Sequence, residues 1–253
     1  MTRAENQGGP VRPEDAATVL LLRESAGGLE VYLTRRQDAL IFLGGYHVFP
    51  GGKVDRQDRS PAQLELCRGL RREPAEFLPG APALAATAGF YVAAVRELFE
   101  ETGVLLAEDG EGRPVESLAT AAAARLAAAR LELQAGNLSF ADLLRAERLF
   151  CPLGRLHWFA RWITPATSPR RFNTYFFLAA LPSGQAPSPF FSEIAEAVWA
   201  RPAEALDRWR RGQWRMIPPT IASLDTLGRF GSVAELAAAY GRPPADYPRV
   251  SWP

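Results

Sequence analysis

The chain has 253 residues, of which 47% are apolar and 23% charged, an ordinary globular composition. It is long enough to bury a sizeable core, and this composition excludes a disordered or fibrous protein. Twenty-nine basic and 28 acidic residues give a net charge of +1, which excludes a uniformly basic surface for nucleic acid.

The start of the chain and its few cysteines favour a protein of a reducing compartment. The first residues are polar, and no apolar run approaches the roughly 20 residues of a membrane helix, so we expect neither signal peptide nor membrane segment and a cytoplasmic location. Cys67 and Cys151 are far apart in the sequence and do not predict a disulfide framework. With only two lone histidines, no zinc site is predicted, and we expect two buried or inert thiols.

The first part of the chain has the pattern of strands. The apolar run 16–22 is broken at Gly27-Gly28 and resumes with alternation over 29–34, which predicts a hairpin. Residues 46–49 predict a short strand that ends at Pro50-Gly51-Gly52.

From Ser60 the pattern becomes helical. Ser60 and the following proline predict an N-cap and a first helical turn, and Leu64, Leu66 and Leu70 follow at near-helical spacing, so the helix is expected to continue beyond that turn. A long helix is predicted over 84–102, with Gly103 as its C-cap. The alanine-rich stretch 115–129 and the stretch 139–148 predict two further helices.

The C-terminal half mixes strands and helices without a long-period repeat, a P-loop or a dinucleotide-binding glycine motif. The predicted elements are strands over 156–164, 172–181 and 193–199, and helices over 202–210, 219–227 and 233–240.

The helix predicted over 84–102 has an unusual charge distribution near its end. On a helical wheel Glu97, Glu100 and Glu101 share an arc of about 100°, opposite the apolar face. Like charges at these spacings repel by about 0.2–0.5 kcal/mol per pair, and the last turns of a helix favour cations. Arg96 reaches Glu100 at i+4 and relieves part of this repulsion.

Two interpretations fit this acidic face. It is either an ordinary solvated face or a site for a hard divalent cation, since Mg²⁺ prefers carboxylate oxygens. The turn over 49–52, whose glycines allow a close backbone approach, favours the second interpretation when it is taken together with the helix.

Gly52 and residues 96–104 together resemble the Nudix box, G-x5-E-x7-R-E-U-x-E-E-x-G-U, in which U is a bulky aliphatic residue. Asp58 stands where the family has glutamate, and an insertion over 59–89 splits the box. Such an interrupted box resembles the Nudix branch that contains a peroxisomal coenzyme A diphosphatase and its bacterial relatives. The second half of the box matches at every fixed position: Arg96, Glu97, Leu98, Glu100, Glu101, Gly103 and Val104.

The resemblance implies an α/β fold, a Nudix-type α/β/α sandwich around a mixed β-sheet, with a helical insertion inside the box and extra helices. We expect a flexible N-terminus over 1–14, a Nudix domain over 15–230, and a C-terminal helix and tail over 231–253. A helical segment over 113–148 is expected to pack over the core or to form a dimer contact, so a homodimer stays open.

The same resemblance implies the site. Arg96 would orient the glutamates through a salt bridge, and Glu97 is the expected base for the attacking water. Asp58 is shorter than glutamate and directly precedes the insertion, so its role as a ligand stays open. Three carboxylates and one backbone carbonyl would bind Mg²⁺ or Mn²⁺: those of Glu97, Glu100, Glu101 and Gly52.

Substrate contacts are expected from two places. Arg171 and Phe172 lie where a loop enters a strand, and they suit a phosphate and a stacked base. Arg36 belongs to segment 33–36, which resembles the start of a second motif of coenzyme A-cleaving Nudix enzymes, but that motif's middle arginine is missing because residues 39–43 are apolar.

The expected activity is Mg²⁺-dependent hydrolysis of a diphosphate linkage in a small nucleotide-derived substrate, with coenzyme A or acyl-coenzyme A first. ADP-ribose and NADH-type dinucleotides are the alternatives, and no nucleic-acid partner is expected.

Glu193 and Glu196 are candidates for an extra catalytic carboxylate. Two other classes of protein stay open. One is a Nudix-fold binding module without turnover, and the other is an interaction protein that acts through its helical segment.

Overall fold

The computed structural model describes residues 11–69, 78, 83–116, 120–190 and 194–241. The remaining residues include Glu193 and part of the predicted insertion, so the predictions for them lie outside the described residues. The strands are β1 (Glu14–Ser25), β2 (Gly28–Arg36), β3 (His47–Val48), β4 (Gly51–Lys53), β5 (Cys67–Arg68), β6 (Cys151–Pro152), β7 (His157–Ile163), β8 (Phe172–Ala180) and β9 (Ile194–Ala200). The α-helices are α1 (Pro61–Leu64), α2 (Leu84–Thr102), α3 (Thr120–Gln134), α4 (Phe140–Ala146), α5 (Pro202–Arg210), α6 (Pro218–Leu227) and α7 (Val233–Tyr240).

Seven of the described strands form one mixed sheet in the order β3-β2-β1-β8-β7, with β4 paired to β1 and β9 to β2. The predicted hairpin is confirmed, since β1 and β2 pair in antiparallel register around Ser25 and Gly28. β1 and β8 are parallel, whereas β7 and β8 are antiparallel. The sheet is therefore mixed, as the resemblance implies.

Successive apolar side chains of β1 point to opposite faces of the sheet, and each face has its own hydrophobic core. Val19 and Leu21 of β1 belong to the cluster that contains the buried side chains of α2, α3 and α4. Leu20 and Leu22 belong to a second cluster with α5, α6 and α7. Because successive side chains of a strand point to opposite faces, this pattern produces the predicted α/β/α sandwich.

α2 is the longest described helix, and its bounds agree with the prediction. It is buried along most of its length, so tertiary packing rather than local propensity stabilises it. Gly103 ends the helix with φ of 73°, a conformation that suits glycine, and its N–H donates to the Phe99 carbonyl.

Two other helices differ from their predictions. The helix after Ser60 is a single turn, although Ser60 caps it as expected by accepting from the Gln63 N–H. The chain then forms β5, because the Leu66 carbonyl accepts from the Cys151 N–H and opens a parallel pairing with β6. α3 begins later than the alanine-rich stretch suggested. No helix of the described residues is both long and apolar enough to cross a membrane.

Candidate active site

The glycine turn of β4 lies directly against the acidic face of α2. A Cβ on Gly51 would stand 2.3 Å from the Ala17 carbonyl oxygen, and a Cβ on Gly52 would stand 2.4–2.6 Å from the carboxyl atoms of Glu97. The Gly51 N–H donates to Glu101 Oε2 at 3.2 Å. Only glycine permits both close approaches, so the two halves of the interrupted box meet in space despite the insertion.

Arg96 lies at the centre of the cluster. Its Nε and Nη2 donate to the two oxygens of Asp58 at 2.9 and 3.0 Å. Its Nη1 donates to Glu97 Oε1 at 2.9 Å and to Glu100 Oε1 at 3.0 Å. Nη2 also donates to the Lys53 carbonyl at 2.9 Å. The guanidinium therefore joins the end of β4, the start of the insertion and two box glutamates.

The hydrogen bonds between Asp58 and Arg96 were not expected from the sequence. Asp58 is 1% exposed and lies in a short 3₁₀ turn where the insertion begins. Both of its oxygens face Arg96, and one also accepts from the Asp55 N–H at 2.8 Å. The structure thus shows Asp58 as the anchor of Arg96. The only sequence signal was an acid at the position of the family's first glutamate.

Burial disfavours the charged forms of the carboxyl groups around Arg96. It raises the pKa of Glu97 to about 7, opposed by Arg96 and reinforced by Glu100. Burial likewise raises the pKa of Glu100 and that of Asp58 above their ordinary values. One guanidinium shared among three buried carboxylates does not neutralise them, so the site favours additional positive charge.

The donor chemistry of the site fits a hard divalent ion: carboxylate oxygens and a glycine backbone that a carboxylate can approach closely. The carboxylates do not form a preassembled triad, however. Among the described residues no group of three acidic, histidine or cysteine side chains stands as a metal centre. In this arrangement Arg96 bridges Glu97 and Glu100. The assignment of the metal ligands, including Gly52, stays a prediction.

The helical segment also reaches the site, through α3. Arg130 Nε and Gln134 Nε2 both donate to the Glu100 carbonyl, at 2.8 and 2.6 Å, and Arg130 Nη1 donates to the Ser188 carbonyl. Burial raises the pKa of the nearby Tyr32 to about 12, with Arg130 opposing this shift. No local signal in the alanine-rich stretch indicated these contacts.

The predicted substrate residues lie on neighbouring parts of the sheet. Phe172 pairs with Glu14 on β1, three positions from Ala17, which pairs with Gly52; this is about 10 Å along the strand. The Phe172 ring packs 5.3 Å from that of Phe42. The substrate role of Phe172 stays a prediction.

The two predicted substrate arginines have backbone partners. Arg171 donates to the carbonyls of Thr164 and Val11 and thereby ties the loop to the segment before β1. Arg36 ends β2, and its N–H donates to the Tyr46 carbonyl. Glu196 lies on β9 opposite Arg35, with 3.8 Å between their side chains. Their roles in binding or catalysis stay predictions.

The sandwich, the glycine turn and the acidic helix together define a Nudix hydrolase. A family model described as the NUDT19 Nudix domain matches residues 13–227. The chain belongs to this family, and it is an enzyme with Nudix diphosphatase activity.

Individual relatives agree with this assignment. The chain is 29% identical over 262 residues to the acyl-coenzyme A diphosphatase NUDT19 of Homo sapiens, covering 89% of this chain and 67% of that protein. The Gallus gallus protein of the same name is 28% identical and covers 88% and 70%. The crystal structure of a NUDIX hydrolase from Alicyclobacillus acidocaldarius has a TM-score of 0.68 and 31% identity, covering 89% of this chain and 95% of that one.

Proposed function

We propose that this enzyme hydrolyses the diphosphate linkage of coenzyme A or an acyl-coenzyme A in a Mg²⁺- or Mn²⁺-dependent reaction. The substrate class is supported by the two vertebrate relatives named acyl-coenzyme A diphosphatase, which match across nearly the whole chain. The observation that carries the chemistry is the contact of Gly51 and Gly52 with Glu101 and Glu97, because it assembles both halves of the box at one place.

The chain's own residues would hold and orient the reacting groups. Glu97, Glu100, Glu101 and the Gly52 carbonyl are the proposed metal ligands. When bound, a divalent ion neutralises diphosphate charge and lowers the pKa of a bound water. Arg96 restrains Glu97 and Glu100 through Nη1, while the Gly51 N–H restrains Glu101. Glu97 is the proposed base that accepts the proton of the attacking water.

The substrate's nucleotide half is proposed to lie toward the start of β8 and the loop after β2. Phe172 and Phe42 form an aromatic pair there, and the guanidinium of Arg170 lies 5.7 Å from the Phe42 ring. An aromatic surface beside a cation suits a base and an anionic phosphate. Phe42 is 38% exposed, so it remains accessible to a ligand.

The first test is a substrate panel. The purified chain is incubated with Mg²⁺ and, separately, coenzyme A, an acyl-coenzyme A, ADP-ribose or NADH, and the products are separated by chromatography. We expect two monophosphate products from coenzyme A or its acyl form, and no product after chelation. Hydrolysis in ¹⁸O-labelled water shows which phosphorus the water attacks. A clear preference for ADP-ribose or NADH would contradict the proposed substrate.

The second test addresses the ligands. Glu100→Gln and Glu101→Gln should each lower kcat/KM by at least about 100-fold, because a neutral amide is a poor ligand for a hard cation. Glu65→Gln is the matched control, since Glu65 is solvated at the surface, and it should keep full activity. Full activity in both box variants would refute the metal assignment. Coenzyme A binding by calorimetry without any turnover would instead support a binding module.

A further inference from the structure

The two cysteines, far apart in sequence, are directly paired in space. Cys67 of β5 and Cys151 of β6 are Cα partners in a parallel two-stranded ladder, and the Cys151 N–H donates to the Leu66 carbonyl at 2.8 Å. Neighbouring strands lie about 4.7–4.9 Å apart, within the range of about 4.4–6.8 Å that Cα atoms of a disulfide adopt. The backbone therefore already holds the two residues at bridging distance.

The two thiols differ in environment. Cys151 is fully buried, whereas Cys67 is only partly buried. A hydrogen bond between the thiols lowers the pKa of Cys67 and raises that of Cys151. A partly accessible, more acidic thiol beside a fully buried partner has the arrangement of an attacking and a resolving cysteine.

We propose that Cys67 and Cys151 form a redox-active dithiol that closes to an intramolecular disulfide when it meets a low-molecular-weight disulfide such as glutathione disulfide. The Cys67 thiolate attacks one sulfur of the oxidant, which forms a mixed disulfide and releases one thiolate. The Cys151 sulfur loses its proton and attacks Cys67 Sγ, and the second thiolate leaves. Two electrons and two protons pass from the protein to the oxidant, which departs as two thiols.

The bridge would fasten the start of the insertion to the strand that leads into β7. Between Asp58 and Cys67 lie only the 3₁₀ turn and α1, so the cross-link fixes the segment that anchors Arg96. It also closes a long loop of chain, and such closure stabilises the folded state chiefly by restricting the unfolded one. This inference is independent of the proposed substrate.

The experiment uses the reduced full-length chain. It is treated with glutathione disulfide, remaining thiols are blocked with N-ethylmaleimide, and peptides are identified by mass spectrometry. We expect a peptide pair joined through Cys67 and Cys151, two hydrogens lighter than the separate peptides, in a protein that stays monomeric on a non-reducing gel. The melting temperature should rise by roughly 5 °C or more, and a reductant should reverse the rise.

Single variants test the order of steps. Cys151→Ser should stop at one glutathione on Cys67, and Cys67→Ser should leave Cys151 unmodified in the folded protein. If Cys151→Ser does not fold, Cys151→Ala serves instead, and the wild-type peptide map decides by itself. Free thiols at both positions after treatment, a persistent Cys67–glutathione adduct in the wild type, or a Cys67-linked dimer would each overturn the proposal.

Discussion

At the scale of single residues, the acidic face of α2 depends on one arginine. Arg96 is 7% exposed and binds Asp58 through two parallel hydrogen bonds while its remaining nitrogen bridges Glu97 and Glu100. A buried charge pair contributes little by itself, but removal of one partner leaves the other charged and buried. Asp58 therefore acts on Glu97 and Glu100 through Arg96.

The Asp58–Arg96 pair yields the first prediction. Asp58→Asn should lower the free energy of unfolding by about 3 kcal/mol, because the buried guanidinium loses its bidentate anion. It should also reduce diphosphatase activity, since Arg96 loses two of the hydrogen bonds that fix its position against Glu97 and Glu100. Urea denaturation and the substrate assay measure the two effects. Asp225→Asn, which breaks an exposed pair with Arg229, is the control and should change stability by less than about 1 kcal/mol. If Asp58→Asn and Asp225→Asn changed the free energy of unfolding equally, Asp58 would not be the anchor of Arg96.

His47 gives the fold a pH dependence. It is 2% exposed, stacks on Trp214 at 4.1 Å, and neither ring nitrogen has a hydrogen-bond partner within the described part of the chain. Burial, aided by Arg35 and Arg208, lowers the pKa of His47 to about 4. Because the unfolded side chain titrates near 6.5, the unfolded state binds more protons between these values. The contribution to stability is complete above pH 6.5 and is lost as the pH falls toward 4.

The second prediction concerns the pH range in which the unfolded state binds more protons at His47 than the folded state does. Between pH 7 and pH 5 the wild type should lose about 2 kcal/mol of unfolding free energy through His47. His47→Phe keeps a ring against Trp214 and should lack this part of the loss. Urea denaturation of both proteins at the two pH values measures the difference. Parallel losses in the two proteins would show that His47 does not titrate as proposed.

At the scale of elements, α3 supports the end of α2. The last carbonyls of a helix have no intrahelical donor, and the Glu100 carbonyl instead accepts from Arg130 and Gln134. α3 therefore acts as a cap for the turn that carries the box glutamates. The sequence pattern had suggested only packing over the core or a dimer contact.

The third prediction concerns this cap. The double variant Arg130→Ala, Gln134→Ala should lower kcat by about 10-fold, because the last turn of α2 loses both donors to the Glu100 carbonyl. Amide hydrogen exchange near the end of α2 should increase in parallel, which links the kinetic loss to fraying. Arg125→Ala is the control on the same helix, since Arg125 pairs with Glu147 at the surface. Unchanged exchange and kcat in the double variant would exclude the capping role.

At the scale of the whole molecule, the second core extends beyond the predicted Nudix boundary at residue 230. Leu236 of α7 is fully buried, and Tyr240 packs on Phe159 of β7 with ring centres 5.1 Å apart. α7 thus covers one face of the sheet and is part of the sandwich. We therefore propose that the structural domain includes this helix.

The fourth prediction tests that boundary. Leu236→Ala should lower the free energy of unfolding by about 2–5 kcal/mol, the usual cost of emptying a buried leucine site. Leu131→Ala is the matched control, since Leu131 is 54% exposed on α3, and it should change stability by less than about 1 kcal/mol. Thermal melts and urea denaturation give both values. If Leu236→Ala lowered the free energy of unfolding as little as Leu131→Ala does, α7 would not be part of the cooperatively folding core.

Local patterns were sufficient where structure depends on neighbours in sequence. The alternation of apolar and polar residues predicted the β1–β2 hairpin, and the preference for glycine at helix C-caps located the end of α2 at Gly103. The helix predicted after Ser60 was too long because the pairing of β5 with β6 is a contact between distant segments. Periodicity contains no information on such pairings, so it also gave no sign that Cys67 and Cys151 are neighbours.

The sequence alone determined the family and the identity of the acidic helix, because seven fixed residues in one short stretch require no knowledge of the fold. Only the tertiary structure decided what surrounds those acids. Asp58 holds Arg96, the glycine turn contacts Glu97 and Glu101, and α3 binds the Glu100 carbonyl, and folding brings all three to the end of α2 from distant parts of the chain. Since burial and screening depend on these distant groups, the charge balance of the site is a property of the folded molecule.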